Sequence, residues 1–230
     1  MATKQHQTRR SQLIDTAKSL FFTNGYEKTT IAHIIETVGI AKGTFYHYFR
    51  SKEHLLETLI EVMSESIVEE ISCIAELSGI SATEKITRYF CHAMVLKTRS
   101  IDLMLPMLRV LYQPENLHLR IRLQESSFQQ TSSILAKIIT EGIESGEFNV
   151  DDPGLCGEYI IRSFTSLSEK TSRMILEKHG TPELFMEMTR LFQFMEWAME
   201  RLLGVGKGTI VLSDRTEIMK MCLYEKENSP

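Results

Sequence analysis

The chain has 230 residues, of which 43% are hydrophobic and 24% are charged, a composition typical of a globular protein. The net charge of −4 is unevenly distributed, because residues 1–52 carry eight Lys or Arg and three acids, a net +5, whereas the remainder carries 18 basic and 27 acidic residues, a net −9. A basic end on an acidic body suits binding to a polyanion through that end and argues against a nucleic-acid surface on the body.

The first predicted helix ends at Asn24-Gly25, a pair that stops helices. Tyr26 then returns the chain toward the core. The apolar residues of this helix recur at helical spacing and form one stripe, which consists of Leu13, Ile14, Ala17, Leu20 and Phe21. We expect this helix to support the two that follow.

The next segment has the pattern of two short helices around a tight turn. Thr30 can cap the first of them, because its hydroxyl can accept a backbone N–H one turn further along. Gly39 stands where a helix end needs a residue that tolerates positive φ. Between them the apolar residues lie on one face, namely Ile31, Ile34, Ile35 and Val38.

A second short helix is predicted from about Ala41 to Phe49. Phe45 and Phe49 are four residues apart on the face that packs against the first helix. Ala41 cannot cap the helix with its side chain. The polar, basic and aromatic residues in between point elsewhere, and this arrangement is typical of a helix-turn-helix. Ser51 can cap a fourth helix, which runs to about Ala75 and links head to body.

These residues resemble the DNA-binding domain of the TetR family of transcriptional regulators over about residues 8–60. The matching positions are Gly25-Tyr26, Thr29-Thr30-Ile31, Val38-Gly39-Ile40, Lys42-Gly43-Thr44-Phe45-Tyr46, Phe49 and Ser51-Lys52-Glu53. The resemblance implies an all-α fold with a three-helix DNA-binding head and a larger helical body for ligand binding and dimerisation. We therefore predict a head over 1–52, a body over 53–203 and a C-terminal tail over 204–230.

By the same resemblance, the second helix of the motif enters the major groove of double-stranded DNA. The residues expected to face the bases are Lys42, Gly43, Tyr46 and His47. Hydroxyls and an ammonium suit phosphate oxygens, and the phosphate candidates are Thr30, Thr44, Tyr48 and Lys52. Packing of Tyr48 beside Phe49 is the alternative for that side chain.

The body is predicted to be helical throughout, because no alternating strand pattern of useful length occurs in it. Predicted helices cover about 81–99, 115–144, 154–179 and 182–203, and Pro106 is expected to kink or split the apolar segment Ile101–Tyr112. A short helix near Thr216–Leu223 is expected in the tail. The helix 182–203 has 13 apolar residues among its 22, more than a single packed face requires.

An additional apolar face on helix 182–203 indicates either a partner or a wholly intramolecular core helix. TetR-like proteins pair their last two long helices with a symmetry mate, which favours a homodimer. The interface residues predicted on this basis are Tyr159, Phe185, Phe194 and Trp197.

The family's body typically encloses a site for a small molecule. Adaptable Met and aromatic side chains suit a partly apolar ligand, although each of them is also an ordinary core residue. The pocket candidates are Phe90, Met94, Met104, Met107, Tyr112, Phe128 and Phe164. Arg120 and Arg122 are candidates to neutralise an anionic ligand, with solvation as the alternative.

No sequence pattern indicates an enzyme, a metal or a cofactor. His92, His118 and His179 have no recognisable motif around them. The four cysteines show neither metal nor redox spacing, although a redox-sensing Cys is an alternative. Without a secretory signal or a membrane span, a cytoplasmic protein is expected.

The sequence predicts a ligand-released repressor on a palindromic operator. Control by a protein partner is the alternative, and a helical enzyme or scaffold is a remote one.

Overall fold

A computed structural model shows an all-α protein, as predicted. It describes residues 2–26, 28–98 and 101–223, with the side chains in those ranges except at 2–8, 22, 96–98, 101–104, 115 and 223, and it contains no strand there. The helices are α1 (Ala2–Asn24), α2 (Ile31–Val38), α3 (Lys42–Tyr48), α4 (Lys52–Ala75), α5 (Ala82–Thr98), α6 (Ile101–Leu111), α7 (Leu117–Glu144), α8 (Pro153–Lys178), α9 (Pro182–Leu203) and α10 (Arg215–Leu223), with a 3₁₀ turn at Pro114–Asn116.

The chain divides into two compact units. The first contains Met1–Met63 and Asp102–Arg120, and the second contains Ser64–Ile101 and Ile121–Pro230. The boundaries between the units fall inside α4, after the first residue of α6 and in the first turn of α7. The head, body and tail proposed from the sequence remain a prediction.

The first unit has its core where α1 contacts α2 and α2 contacts α3. The buried side chains include the stripe predicted on α1 except Leu20, which is half-buried, the inward faces of α2 and α3, and the first turns of α4. They are Leu13, Ile14, Ala17, Phe21, Tyr26, Ile34, Phe45, Phe49, Leu55, Leu56, Leu59 and Ile60. This core fixes the position of α3 relative to α1 and α2.

Helix α6 runs through Pro106 without interruption, so the segment is not split. Proline removes one N–H donor from a helix interior, and the remaining backbone bonds can keep a helix continuous across it. The side chain of Met104 lies outside the described residues.

In the second unit α8 packs on α9, and the close approach of α8 to α7 depends on Gly157. A Cβ at this position would lie 3.0 Å from the backbone O of Ser132 and 3.0 Å from the backbone N of Ala136, both on α7. Gly157 is buried, and so is Ser132. The small residue therefore sets the separation of the two helices.

Acidic side chains of the second unit fasten the turn between α4 and α5. Buried Lys85 donates to the carbonyl of Ala75, the last residue of α4, at 2.8 Å and to the Glu141 carboxylate at 2.6 Å. The Glu147 carboxylate accepts from the backbone N–H groups of Ala82 and Thr83, both at 3.0 Å. The bonds to Ala75, Ala82 and Thr83 satisfy backbone groups that helix ends leave unpaired.

The C-terminal segment 204–223, which lies in the predicted tail, packs into the second unit. Helix α10 contacts both α5 and α9, and Ile210 and Leu212 are buried. The predicted short helix is present as α10. The carboxylate of Glu200, which is 4% exposed, accepts from the N–H groups of Gly208 at 2.6 Å and Thr209 at 2.9 Å. A buried carboxylate with several backbone donors explains how this segment is held.

Candidate nucleic-acid interface

Helix α2 begins and ends with the two local signals predicted for it. Thr30 is extended, at φ −100°, and its hydroxyl accepts the N–H of His33 at 3.1 Å. Gly39 lies at φ +72°, and its N–H donates to the carbonyls of Ile35 and Glu36. A side chain at this φ would be strained even though the space around Gly39 is open. The turn into α3 therefore depends on glycine for its backbone conformation.

Helix α3 is fixed by its buried aromatic face. Phe45 and Phe49 are fully buried, with ring centroids 5.9 Å apart, and Ile34 of α2 is buried in the same core. Ala41 makes no side-chain cap bond, as predicted. A seven-residue helix is too short to be stable alone, so packing through Phe45 and Phe49 must supply its stability.

The four base-facing candidates lie on the opposite, exposed side of α3. Lys42, Gly43, Tyr46 and His47 are all exposed, Tyr46 by 46%. The Lys42 ammonium is 6.0 Å from the centroid of the Tyr46 ring. No atom lies within 4 Å of the place where a Cβ on Gly43 would stand. Intramolecular packing therefore does not require glycine there, and the open space is available to a partner.

The phosphate candidates differ in their surroundings. Thr30 is exposed, whereas Thr44 and Tyr48 are half-buried, and the Tyr48 ring centroid is 6.5 Å from that of Phe49. The Tyr48 side chain therefore lies beside the Phe49 ring and is also partly exposed to solvent, which fits both of the roles predicted for it. The four candidates lie on α3 or on the residues that begin α2 and α4.

Lys52 has intramolecular partners that the sequence pattern did not indicate. Its ammonium donates to the carbonyls of Tyr26 at 3.0 Å and Thr29 at 3.1 Å, and it lies 4.2 Å from the centre of the Tyr26 ring. An ammonium has three N–H donors. Lys52 therefore ties the α1–α2 loop to the start of α4 with two of them.

The loop before α2 supplies further structural residues that sequence reasoning missed. Buried Thr29 donates its hydroxyl to the carbonyl of Gly25 at 2.8 Å, and the Tyr26 hydroxyl donates to the Glu53 carboxylate at 3.4 Å. Hydrogen bonding to the Glu53 backbone N–H lowers the pKa of that carboxyl, with help from the Ser51 and Tyr26 hydroxyls. The sequence resemblance includes Tyr26, Thr29 and Glu53, but it did not indicate these contacts.

Comparison with known proteins identifies the chain. Residues 13–59 match the family described as "Bacterial regulatory proteins, tetR family". The fatty acid metabolism regulator protein of Bacillus subtilis is 32% identical over 157 residues, which cover 63% of this chain and 73% of that protein. The chain belongs to the TetR family. It is a transcriptional regulator with a DNA-binding helix-turn-helix, and its relatives are regulators rather than enzymes.

Other TetR-family relatives extend the similarity. The repressor KstR2 of Mycolicibacterium smegmatis is 26% identical over 152 residues, 64% of this chain and 71% of that protein. The crystal structure of B. subtilis FadR in complex with stearoyl-CoA is 25% identical, with a TM-score of 0.53 over 80% of this chain and 96% of that one. A regulator from Cytophaga hutchinsonii, at 23% identity and a TM-score of 0.58, covers 84% of this chain and 93% of its own and shows the same fold.

The pocket candidates of this TetR-family chain lie in both compact units. In the second unit Phe90 and Met94 are buried, and the Phe90 ring centroid is 4.8 Å from that of Phe164. Phe128 is half-buried, with the Arg162 guanidinium 4.0 Å from its ring centre. Met107 and Tyr112 are half-buried residues of the first unit, where the Arg120 guanidinium lies 4.6 Å from the Tyr112 ring. The structure therefore groups Phe90 with Phe164 and places Met107 and Tyr112 in the other unit.

Helix α9 has two apolar faces. One is buried in the second unit and consists of Leu184, Met188, Phe192, Met195, Met199 and Leu203. On the other face Phe194 is 63% exposed and Trp197 47% exposed, with ring centroids 5.6 Å apart, and Tyr159 of α8 is 65% exposed. Phe185 is half-buried, with the Arg215 guanidinium of α10 5.4 Å from its ring centre. The apolar surplus of this helix is therefore at the surface and is not absorbed by the core.

Three of the four cysteines, Cys91, Cys156 and Cys222, lie in surroundings that do not activate a thiol. Burial raises the pKa of Cys91, that of Cys156 to about 11 and that of Cys222 to about 12. Reactive cysteines have lowered pKa values, because the thiolate is the nucleophile. These three thiols are therefore protonated at neutral pH.

Among the described residues no group of three His, Cys, Asp or Glu is arranged to hold a metal ion. Over the same part of the chain, none of the helices combines the length and apolarity that a bilayer crossing needs.

Proposed function

We propose that the chain is a homodimeric repressor that binds a palindromic DNA operator and is released by a partly apolar small-molecule ligand. The observation that carries the proposal is the exposed face of α3, the second helix of the helix-turn-helix. This face carries Lys42, Gly43, Tyr46 and His47. A dimer of such heads places two recognition helices about one DNA turn apart, about 34 Å. The net +5 of residues 1–52 favours approach to DNA by this end.

Base contacts and phosphate contacts are assigned by chemistry. Lys42 can donate to guanine O6 and N7, Tyr46 and His47 can contact base edges, and Gly43 lets the backbone approach closely. Thr30, Thr44, Tyr48 and Lys52 are proposed to hold phosphates. In Lys52 the third N–H remains for a phosphate, because carbonyls of its own unit accept the other two.

The DNA-binding test is fluorescence anisotropy with the duplex upstream of the protein's own gene, compared with a scrambled duplex at several salt concentrations. Tyr46→Ala and Lys42→Ala should each cost about 1–3 kcal/mol of discrimination per half-site. Lys52→Ala should weaken both duplexes and flatten the salt dependence by about one counterion per half-site. Lys18→Ala, an exposed change on α1, is the control.

Two outcomes would contradict these roles. If Lys52→Ala abolished discrimination while Tyr46→Ala lowered affinity uniformly, the assignment of the roles would be reversed. If none of Tyr46, Lys42 and Lys52 affected binding, the recognition surface would lie elsewhere. Circular dichroism of Lys52→Ala separates loss of a phosphate contact from loss of the hydrogen bonds to Tyr26 and Thr29.

The exposed apolar face of α8 and α9 is the proposed dimer interface. Phe194, Trp197 and Tyr159 form the centre of the interface, since large aromatics in a desolvated patch carry most of the binding free energy at interfaces. Phe194→Glu should give monomers in sedimentation at micromolar concentration. Leu77→Glu, an exposed apolar position in the α4–α5 turn, should leave the dimer intact. A monomeric wild type would refute the proposal.

For the ligand we propose a long-chain fatty acyl-CoA. The support is similarity to the B. subtilis fatty acid regulator and to FadR in complex with stearoyl-CoA. Stearoyl-CoA should release the protein from the duplex, whereas CoA alone should not, because the acyl chain supplies the apolar contacts. If neither stearoyl-CoA nor any compound in a wider metabolite screen released the protein from the duplex, the result would favour the alternative, control by a protein partner.

A further inference from the structure

The first turn of α4 carries a modified capping box. The Ser51 hydroxyl accepts the N–H of His54 at 3.1 Å, as an N-cap serine does for the residue three positions on. In the usual box that third residue is Glu or Gln, and its side chain accepts a backbone N–H in return. Here the return bond runs from the N–H of Arg50 to Nδ1 of His54 at 3.2 Å. The acceptor is therefore a group that protonation can remove.

This bond closes the junction between α3 and α4. Phe49, which is 1% exposed, ends α3 with its N–H on the carbonyl of Phe45. The His54 ring lies edge-on to Phe49 at a centroid distance of 5.8 Å. His54 thus contacts the residue that ends α3 and accepts from the residue after it. Its side chain fixes the direction in which the chain leaves the recognition helix.

We propose that His54 is a positioning residue for the recognition helix and that its protonation loosens the α3–α4 junction and weakens operator binding. The proposal rests on the operator binding proposed above. Nδ1 accepts a hydrogen bond only while it lacks a proton. Once protonated, it is a donor that faces the Arg50 N–H, so the ring must turn away. Histidine is the side chain whose charge ordinarily changes between about pH 5 and 8.

Charged groups near the α3–α4 junction come from α1, from the junction itself and from α4. Arg10 of α1 lies over the same Phe49 ring, with its guanidinium 5.6 Å from the ring centre, and Arg50 belongs to the junction itself. On α4 the neighbours in sequence are Lys52, Glu53 and Glu57. Glu57 is three residues further along, a spacing at which helical side chains meet. A protonated ring therefore has an alternative partner on its own helix.

The proposal predicts that DNA affinity falls as the pH falls, which is unusual for a DNA-binding protein. Protonation near DNA ordinarily strengthens binding, because each added positive charge releases counterions. His33 and His47 are exposed on the same unit and can contribute in that direction. The measurement must therefore be a difference between wild type and a variant that keeps an acceptor at position 54 without titrating. His54→Gln meets this requirement, because an amide oxygen at this position is an acceptor, as in the usual capping box, and does not titrate.

The experiment measures anisotropy with the upstream duplex from about pH 8 to about pH 6 at constant ionic strength. Wild type and His54→Gln should bind alike at the alkaline end, and His54→Ala should bind on the order of fivefold more weakly, the factor expected for one hydrogen bond. On acidification the wild type should lose on the order of fivefold relative to His54→Gln. Parallel profiles for wild type and His54→Gln would overturn the proposal.

A DNA-free measurement separates this inference from the proposed function. The backbone amide resonance of Arg50 should shift with the titration of the His54 ring in wild type and stay constant in His54→Gln. If the Arg50 resonance does not change with pH in this way, the positioning role is wrong, regardless of the results with DNA. If it does change in this way while the upstream duplex is not bound at any pH, the choice of operator fails and the junction remains as described.

Discussion

Glu200 should hold the C-terminal segment on the second unit through its buried carboxylate. One oxygen accepts from the N–H groups of Gly208, Thr209 and Ile210 at 2.6, 2.9 and 3.3 Å. Glu200→Ala removes this acceptor and leaves the three donors without it. The change should therefore release 205–223 from α9 and lower the free energy of unfolding.

The magnitude follows from these distances. Hydrogen bonds to a charged group contribute about 1.5–3 kcal/mol each, and the bond at 3.3 Å is too long to count fully. Two good bonds would give about 3–6 kcal/mol, and partial hydration of the freed N–H groups reduces the net loss to about 2–4 kcal/mol. Glu200→Gln keeps one acceptor oxygen without the charge, so its loss should be smaller, about 1–2 kcal/mol.

The assay is urea unfolding followed by circular dichroism, with limited proteolysis as a local readout. Glu200→Ala should lower the transition midpoint and expose the segment after Leu203 to cleavage before the rest of the chain. Glu187→Ala, on the same helix, removes only an exposed ion pair with Lys178 and is the control. The reasoning is refuted if Glu200→Ala changes the free energy of unfolding no more than Glu187→Ala does.

Two further changes probe the second unit. Burial would raise the pKa of Glu147, but hydrogen bonds from Thr83 and Ala82 outweigh it and the pKa is lowered. The contribution of Glu147 to stability is then present above about pH 4.3 and is lost as the pH falls through the lowered pKa. The stability gap between wild type and Glu147→Gln in urea unfolding should therefore narrow on acidification, and a constant gap would contradict the assignment. Gly157→Val should lower the free energy of unfolding by about 1–3 kcal/mol, because the added side chain meets the α7 backbone. The control Ser166→Val, exposed on the same helix, should lower it much less. Equal losses for the two variants would contradict the packing argument.

Local signals explain why the helix-turn-helix could be predicted from the sequence. The Thr30 cap, the glycine at position 39 and the Phe45–Phe49 pair each act within a few residues, and all three are present as predicted. The bounds of α9 are likewise those predicted, since Pro182 and Gly204 mark its two ends and both are sequence signals. Its apolar content also indicated more than one face.

Contacts between distant residues could not be predicted in this way. Nothing in the sequence around Lys52 indicated that its ammonium is bonded to the carbonyls of Tyr26 and Thr29, more than 20 residues earlier. Lys85 and Glu141 are 56 residues apart and look like ordinary surface charges in the sequence. Periodicity specifies the face of a helix on which a side chain lies, but not the group that it meets there.

The sequence by itself determined the all-α class, the two helices of the DNA-binding motif and the exposed character of Lys42, Tyr46 and His47, because these follow from helical spacing and from caps. Only the tertiary structure decided that residues 204–223 belong to the second unit and that His54 closes the α3–α4 junction. The first depends on a buried carboxylate that meets backbone donors of a later segment. The second depends on which ring nitrogen faces an amide, and spacing along the chain does not determine that orientation.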